Sequence, residues 1–413
     1  MNKFISILKI FLGVIFLSTL SNFSFAKVSK IGVLAPMSGP AASDGESYVQ
    51  GVTMAIEEIN AAGGINGHTF EIVVADVKDQ SSDSVLNAIE KLLNEKDINQ
   101  VMTGYASLSN FELPFMAENE MPYFLAGNSQ QTRDIIKPNP EDYWMVWSAT
   151  PSYDAYETEM VPLVQSLEAE GKLRIQNKKI ALISTDNPYS KTIYNGLNKS
   201  FTAAGWEVTV TEMVPSGPVN DWRAILAKVR QDPPSVIVNT DWQPNNAARF
   251  ITQFNEDPTD SLVFLQYGPS LPEFTELGGD DTTGVIYNLL FGHLPGTPLA
   301  DQMIKKYEDR WNVQSTVYGI ALYEMAMIYF DAVTASGGDP FNIRAVQDAL
   351  SKTKKDVSQG VIQFDPETHL ALQSNDSGIP CQFLQVWDGE RHLFYPPKYV
   401  TNWTYKEPPW RNN

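Results

Sequence analysis

Short apolar runs alternate with longer amphipathic stretches along most of the chain. The first run is Ile31–Ala35, and after it Tyr48, Val52, Ile56 and Ile59 recur at the spacing of one helix face. The pattern predicts further strands at Phe70–Ala75, Gln100–Thr103 and Tyr123–Ala126, with helices near 82–95 and 108–119. Strands that alternate with helices in this way indicate a parallel sheet with helices on both faces.

A second series of alternating strands and helices follows the first. Its predicted strands are Lys179–Ser184, Trp206–Val214, Ser235–Asn239 and Leu262–Gln266, with helices near 190–203, 219–230 and 244–255. Two such series predict two α/β lobes, each with its own parallel sheet. After a strand at Gly284–Leu290, the pattern predicts helices at 298–311, 317–336 and 341–353 and then a β-rich tail. A tail without a sheet of its own packs on lobes already made, so we expect the chain to cross between them more than once.

The first 26 residues have the pattern of a cleaved signal peptide. Lys3 and Lys9 precede or border the apolar run Ile10–Leu17, and Ser24-Phe25-Ala26 forms a small-x-small cleavage site. The run is too short to span a bilayer comfortably, and no other stretch approaches the ~18 apolar residues that a membrane span needs. We therefore predict an exported protein, cleaved near Ala26.

Composition and motifs exclude several classes of function. The chain of 413 residues has 30 basic and 49 acidic side chains, a formal net charge of −19, which argues against nucleic acid as a partner. One cysteine and four histidines argue against a disulfide scaffold and a zinc site. The motifs of serine hydrolases, phosphate-binding loops, zinc proteases and dithiol enzymes are missing from the sequence. We predict a protein that is not an enzyme, with no catalytic residues, no metal and no cofactor.

The residues that follow the predicted strands suggest where a ligand binds. In open parallel sheets, ligands bind beyond the carboxyl ends of the strands. In the first series these ends carry small, hydroxyl and amide residues, which suit an anionic group such as a carboxylate. In the second series they carry aromatic residues, which suit an apolar or cationic ligand body. These segments are 36–45, 104–107, 126–129, 186–189, 240–242 and 267–269.

Two long motifs resemble a known family. Ile31–Pro40 reads IGVLAPMSGP, and the helix that follows ends in AIEEINAAGGING, from Ala55 to Gly67. These segments resemble type I periplasmic substrate-binding proteins of ABC transporters, closest to the leucine/isoleucine/valine-binding group. The resemblance covers residues 27–400. It implies two Rossmann-like lobes with parallel sheets joined by a three-segment hinge, with the ligand enclosed between them.

The resemblance also implies a candidate ligand site. Ser107, Ala126 and Asn128 match the positions that hold an amino acid's carboxylate, and Asn128 stands where relatives usually have threonine or serine. Tyr189 matches an aromatic residue of the cleft, and Trp242 falls where a tyrosine often sits. The full predicted set is Asp44, Tyr105, Ser107, Ala126, Asn128, Tyr153, Tyr189, Trp242 and Tyr267.

One departure from the family pattern concerns the ligand's ammonium group. Amino-acid binders of this group commonly carry an acid near Tyr267-Gly268-Pro269, and this chain has none there. Asp44, Asp186 and Asp241 are the alternatives, and no spacing argument chooses among them. The default ligand is a branched-chain or other hydrophobic amino acid. An aromatic carboxylate, a betaine-like compound and a short amide or urea are the alternatives, as is a soluble ligand sensor of the same fold.

The expected organisation follows from the resemblance. Residues 1–26 form the signal peptide, 27–148 plus 293–356 form lobe 1, and 149–292 plus 357–413 form lobe 2. The expected partners are a small-molecule ligand and the membrane permease of an ABC importer, and we expect a monomer. In this scheme the ligand docks on lobe 1 and then stabilises the closed form by contacts with lobe 2.

Overall fold

The computed structural model describes residues 27–411, so the predicted signal peptide lies outside the described residues. The amino-terminal part forms a sheet of five parallel strands in the spatial order β2-β1-β3-β4-β5. The strands are β1 (Lys27–Ala35), β2 (His68–Asp76), β3 (Ile98–Thr103), β4 (Tyr123–Leu125) and β5 (Val146–Ser148). Residues on both faces of β1 are fully buried, including Ile31 and Leu34, because helices cover both sides of the sheet.

Four helices connect these strands. They are α1 (Ala42–Ala61), α2 (Ser82–Leu93), α3 (Leu113–Glu118) and α4 (Ser129–Ile136). The helix predicted near 108–119 is shorter in the structure and begins only at Leu113. Asn110 has a φ of 53°, which a helix does not allow, and Pro114 favours a helix start at this point. Residues 104–112 therefore form a loop beyond the carboxyl end of β3.

The second sheet has seven strands within the described residues. Their order is β14-β13-β10-β9-β8-β6-β7, in which β6 to β10 are parallel and the two tail strands are antiparallel. The strands are β6 (Lys179–Thr185), β7 (Glu207–Val214), β8 (Val236–Asn239), β9 (Leu262–Leu265), β10 (Ile286–Leu289), β13 (Gln382–Trp387) and β14 (Glu390–Tyr395). The helices are α5 (Asp154–Ala169), α6 (Pro188–Ala203), α7 (Arg223–Gln231), α8 (Pro244–Asn255) and α9 (Pro272–Gly278).

The chain then returns to the first sheet. The returning helices are α10 (Pro298–Trp311), α11 (Val317–Ala335) and α12 (Ile343–Leu350), and α11 packs along α1. A hairpin of β11 (Lys354–Val357) and β12 (Gly360–Gln363) follows, and Leu370 then pairs with Ser148 at the edge of the first sheet. Within residues 27–411, none of the helices has the length and apolar character required to cross a bilayer.

The chain passes between the two sheets at three places. The first passage follows β5, the second follows β10, and the third lies between Leu370, which pairs with the first sheet, and β13 of the second sheet. The backbone N–H of Leu294 donates to the carbonyl of Ser358 at 2.9 Å, so the second passage runs beside the turn between β11 and β12. The predicted lobe boundaries near 148, 292 and 356 stay a prediction.

The contact between α1 and α11 depends on a glycine. A Cβ atom at Gly51 would lie 2.2 Å from the carbonyl oxygen of Gly319 and 2.9 Å from the backbone nitrogen of Tyr323. Both neighbours are backbone atoms of a buried helix, so the helices would have to move apart. We expect Gly51→Ala to lower the free energy of unfolding by about 1–3 kcal/mol.

Chemical denaturation measures this effect, with Glu46→Ala on the exposed side of α1 as the control. Alanine is the better helix former, so propensity alone would make Gly51→Ala stabilising by about 1 kcal/mol. An increase in stability would show that the close helix contact is absent.

Candidate ligand-binding site

A cavity lies between the carboxyl ends of the two parallel sheets. Its volume is about 30 Å³. That is far below the ~300–1,000 Å³ typical of small-molecule sites, so the walls are almost in contact and would have to separate to admit a ligand. Seven of its nine lining residues are aromatic; the lining is Tyr105, Leu108, Asn128, Tyr153, Tyr189, Trp242, Tyr267, Phe291 and Tyr318.

The strand ends position most of this lining. Tyr105 and Leu108 belong to the loop after β3, and Trp242 and Tyr267 follow β8 and β9. Tyr267 has a φ of 54° and precedes a short 3-10 turn at Gly268–Ser270, which redirects the chain after β9. Tyr318 comes from the first turn of α11 and closes the cavity from the returning segment.

The aromatic rings pack edge to face and are nearly closed to solvent. Tyr105 and Trp242, from opposite sheets, have ring centroids 6.4 Å apart at an interplanar angle of 76°. Tyr153 and Tyr189 have centroids 5.4 Å apart at 83°. These are the preferred arrangements of aromatic pairs, in which a ring edge meets a neighbouring face. Each of the lining aromatics is at most 9% exposed, so the walls are already ordered around the cavity.

Asp44 connects the two sides of the cavity. Its carboxyl group accepts hydrogen bonds from the hydroxyl of Tyr105 at 2.6 Å and from that of Tyr267 at 2.9 Å. Asp44 lies in the first turn of α1 and is 1% exposed. Burial raises the pKa of Asp44 from 3.8 to about 7, because the loss of hydration outweighs the two hydroxyl bonds, and the nearby charge of Glu273 raises it further.

The family resemblance implies that the loops at Ser107, Ala126 and Asn128 hold the ligand's carboxylate. In the structure the polar groups of these loops form internal hydrogen bonds. The hydroxyl of Ser107 donates to the buried carboxyl of Glu112 at 2.6 Å, and the backbone N–H of Ala126 donates to Gly104 at 3.1 Å. The structure therefore places Ser107 and Ala126 behind the cavity and outside its lining. Asn128 lies in the lining, but its amide nitrogen donates to the Ser107 carbonyl at 2.6 Å.

The backbone N–H of Asn128 is also used in an internal hydrogen bond, to Tyr153. Its hydroxyl oxygen accepts the backbone N–H of Asn128 at 2.6 Å. The Tyr153 hydroxyl still has its own proton to donate, and Tyr153 lines the cavity.

The other two acids considered for the ammonium group lie outside the lining. Asp186 is exposed and pairs with Lys191. Asp241 is buried, but its carboxyl group accepts from the amide of Asn246 at 2.6 Å and from the backbone N–H of Gln243 at 3.1 Å. Those bonds hold the start of α8. Of the three acids, the structure joins only Asp44 to residues of the cavity.

Sequence reasoning missed three lining residues: Leu108, Phe291 and Tyr318. Leu108 directly follows the candidate Ser107, and Phe291 lies two residues beyond the end of β10. A wider window at the strand ends would have included both. No strand-end pattern pointed to Tyr318. It lies on a helix, and the position of that helix depends on the return of the chain to the first sheet.

Two parallel sheets that enclose a cavity at their facing strand ends define a two-lobed binding protein. The family model described as "Periplasmic binding protein" matches residues 29–375. The chain therefore belongs to the periplasmic binding protein family, and the resemblance seen in the sequence is confirmed. The predicted class, two lobes with parallel sheets of periplasmic binding protein type I, is also confirmed.

Three similar proteins illustrate the range of the family. The chain is 24% identical over 377 residues to "Leu/Ile/Val-binding protein homolog 7" of Brucella abortus, covering 89% of this chain and 91% of that protein. A putative branched-chain amino acid ABC transporter from Silicibacter pomeroyi is 31% identical, with a TM-score of 0.84, covering 93% of this chain and all of that one. A solute-binding protein from R. palustris in complex with benzoate is 15% identical, with a TM-score of 0.70 and coverage of 89% and 95%, and shows the fold alone.

The raised pKa of Asp44 predicts a pH dependence of stability. Its folded pKa of about 7 exceeds the ordinary value of 3.8, so between these values the folded state holds a proton that the unfolded state has lost. The contribution of Asp44 to stability is therefore complete below pH 3.8 and is lost as the pH rises to about 7. We expect Asp44→Asn to reduce this loss, measured by denaturation at several pH values.

Glu46→Gln, which changes an exposed acid on the same helix, should leave the pH profile of the parent protein unchanged. The expectation fails if the profile of Asp44→Asn follows that of the parent protein across the same range.

Proposed function

We propose that this periplasmic binding protein encloses one small ligand in the aromatic cavity and presents the closed form to the permease of an ABC importer. The observation that carries the proposal is the position of the cavity. It lies at the facing carboxyl ends of two parallel sheets, where ligands of open α/β sheets bind, and residues from both sheets line it. The ligand site residues proposed are Asp44, Tyr105, Asn128, Tyr153, Tyr189, Trp242 and Tyr267, with Leu108, Phe291 and Tyr318 added.

The proposed mechanism is closure of the two lobes around the ligand. Tyr105 and Asp44 stand on the side of the first sheet, while Trp242 and Tyr267 stand on the side of the second. A ligand between them contacts both sides only in the closed form, so its binding energy favours closure. The hydrogen bond from Tyr267 to Asp44 joins the same two sides and adds to the stability of that form.

The names of similar proteins refer to branched-chain amino acids and to benzoate. A hydrophobic amino acid is the family default and fits the apolar walls of the cavity. The proposal places the protein in the periplasm as a monomer, with residues 1–26 removed as a signal peptide.

Trp242 tests whether ligands bind in this cavity. Trp242 is 7% exposed and lines the cavity, so Trp242→Ala removes a large part of one wall. We expect the Kd of any true ligand to rise at least about 10-fold, which corresponds to ~1.4 kcal/mol. Isothermal titration calorimetry measures this with leucine, isoleucine, valine, benzoate, acetamide and choline, after bound ligand has been removed by unfolding and refolding.

Trp403→Ala is the matched control, because Trp403 stacks on His392 in the tail, away from the cavity. This variant should bind with the affinity of the parent protein. A ligand that binds equally well to the Trp242→Ala variant would place its site elsewhere, and the absence of any ligand from a broad metabolite screen would contradict the importer function.

A further inference from the structure

The cavity combines aromatic walls with a buried acid and has no basic residue in its lining. Within residues 27–411, the lining contains tyrosine, tryptophan, phenylalanine, leucine and asparagine only. The carboxyl group of Asp44 stands behind two of the lining residues, Tyr105 and Tyr267, whose hydroxyls donate to it. An anionic ligand would therefore enter a closed space backed by an acidic side chain, without a cation in the walls to offset the repulsion.

The charges around Asp44 have the same sign. Among the described residues, the further charge that acts on Asp44 is Glu273, and one carboxylate oxygen of Glu273 is buried without a hydrogen-bond partner. Arg391 of β14 lies outside the lining, donates to the carbonyl of Pro269 at 2.7 Å and to that of Leu271 at 2.6 Å, and its charge acts on Glu273. At Asp44 itself the charge that acts is the negative charge of Glu273, so this position favours a cation.

The geometry of the walls favours a cation that does not need hydrogen bonds. Several rings surround one small space, and the faces of such rings attract an alkylated ammonium group within ~6 Å of their centroids. The hydroxyls of Tyr105 and Tyr267 donate their protons to Asp44. These two residues therefore offer a ligand their ring faces and the partial negative charge of their hydroxyl oxygens. A primary ammonium group needs an acceptor for each of its N–H donors, whereas a quaternary ammonium group has none to satisfy and can be held by ring faces alone.

From these observations we infer that the cavity is a site for a small ligand with a quaternary ammonium group, attracted by the aromatic rings and by the acidic side chain of Asp44. The inference rests on the proposed function, because it assigns the chemical class of the ligand in that same cavity. The free hydroxyl proton of Tyr153 stands at the other side of the cavity and can donate to a hydroxyl or carboxylate oxygen of the ligand.

A pair of ligands with the same shape separates charge from size. Choline carries a trimethylammonium group, and 3,3-dimethyl-1-butanol carries an uncharged tert-butyl group in its place. We expect the refolded protein to bind choline at least about 10-fold more tightly than the uncharged compound in calorimetric titrations. Equal affinities would overturn the inference, since apolar contact alone would then account for binding.

Variants test the role of the acid. Asp44→Asn should remove most of the preference for choline over 3,3-dimethyl-1-butanol, while Asp186→Asn, which removes an exposed acid near α6, should retain it. If Asp44→Asn does not fold, as judged by circular dichroism, Tyr267→Phe serves instead. It leaves the carboxylate in place but removes one hydroxyl bond, so the preference for the cation should persist.

Leucine and benzoate, titrated in the same way, separate this inference from the proposed function. If either binds in a manner that depends on Trp242 and choline does not bind, the cation inference is overturned and the proposed function stands. If choline binds and Trp242→Ala does not weaken it, the charge preference lies outside the cavity, and the inference is again overturned. Binding of choline that depends on both Asp44 and Trp242 supports it.

Discussion

Parallel strands direct all of their carboxyl ends to one edge of a sheet, and this constraint accounts for most of the molecule's organisation. Each sheet gathers its strand-end loops on a single edge, and the chain crosses between the sheets so that the two edges face each other. The space between them is then walled by loops that follow β3, β4, β8 and β9. Because rigid strands hold these loops, the cavity walls can be large aromatic side chains packed against one another.

The electrostatics of the cavity follow from its burial and from the absence of basic residues among the described residues of its lining. A carboxyl group buried at Asp44 loses its hydration, and two tyrosine hydroxyls replace only part of it. Asp44 lies in the first turn of α1, where the helix dipole favours a negative charge. An anion beside Asp44 would add to the cost of burial, whereas a cation would reduce it.

The strands and most helices could be predicted from the sequence, because buried parallel strands are short apolar runs between amphipathic helices. The strand-end rule also brought together Tyr105, Tyr189, Trp242 and Tyr267, which the structure places in one lining. The direction of a side chain inside a loop carries no such pattern. Ser107 belongs to the correct loop, but its hydroxyl turns to Glu112, because that buried carboxyl group needs a donor.

The helix α11 links the cavity to the passages between the sheets, which sequence patterns could not show. Its first turn places Tyr318 in the cavity wall, and six residues later Glu324 accepts the backbone N–H of Ser358 at 2.6 Å. Ser358 in turn accepts from the backbone N–H of Leu294, so the segment after β10 is joined to the turn between β11 and β12 and, through it, to the helix. Six residues of α-helix span only ~9 Å, and a buried helix is rigid over that length, so these bonds hold the segment after β10 at a fixed position relative to Tyr318.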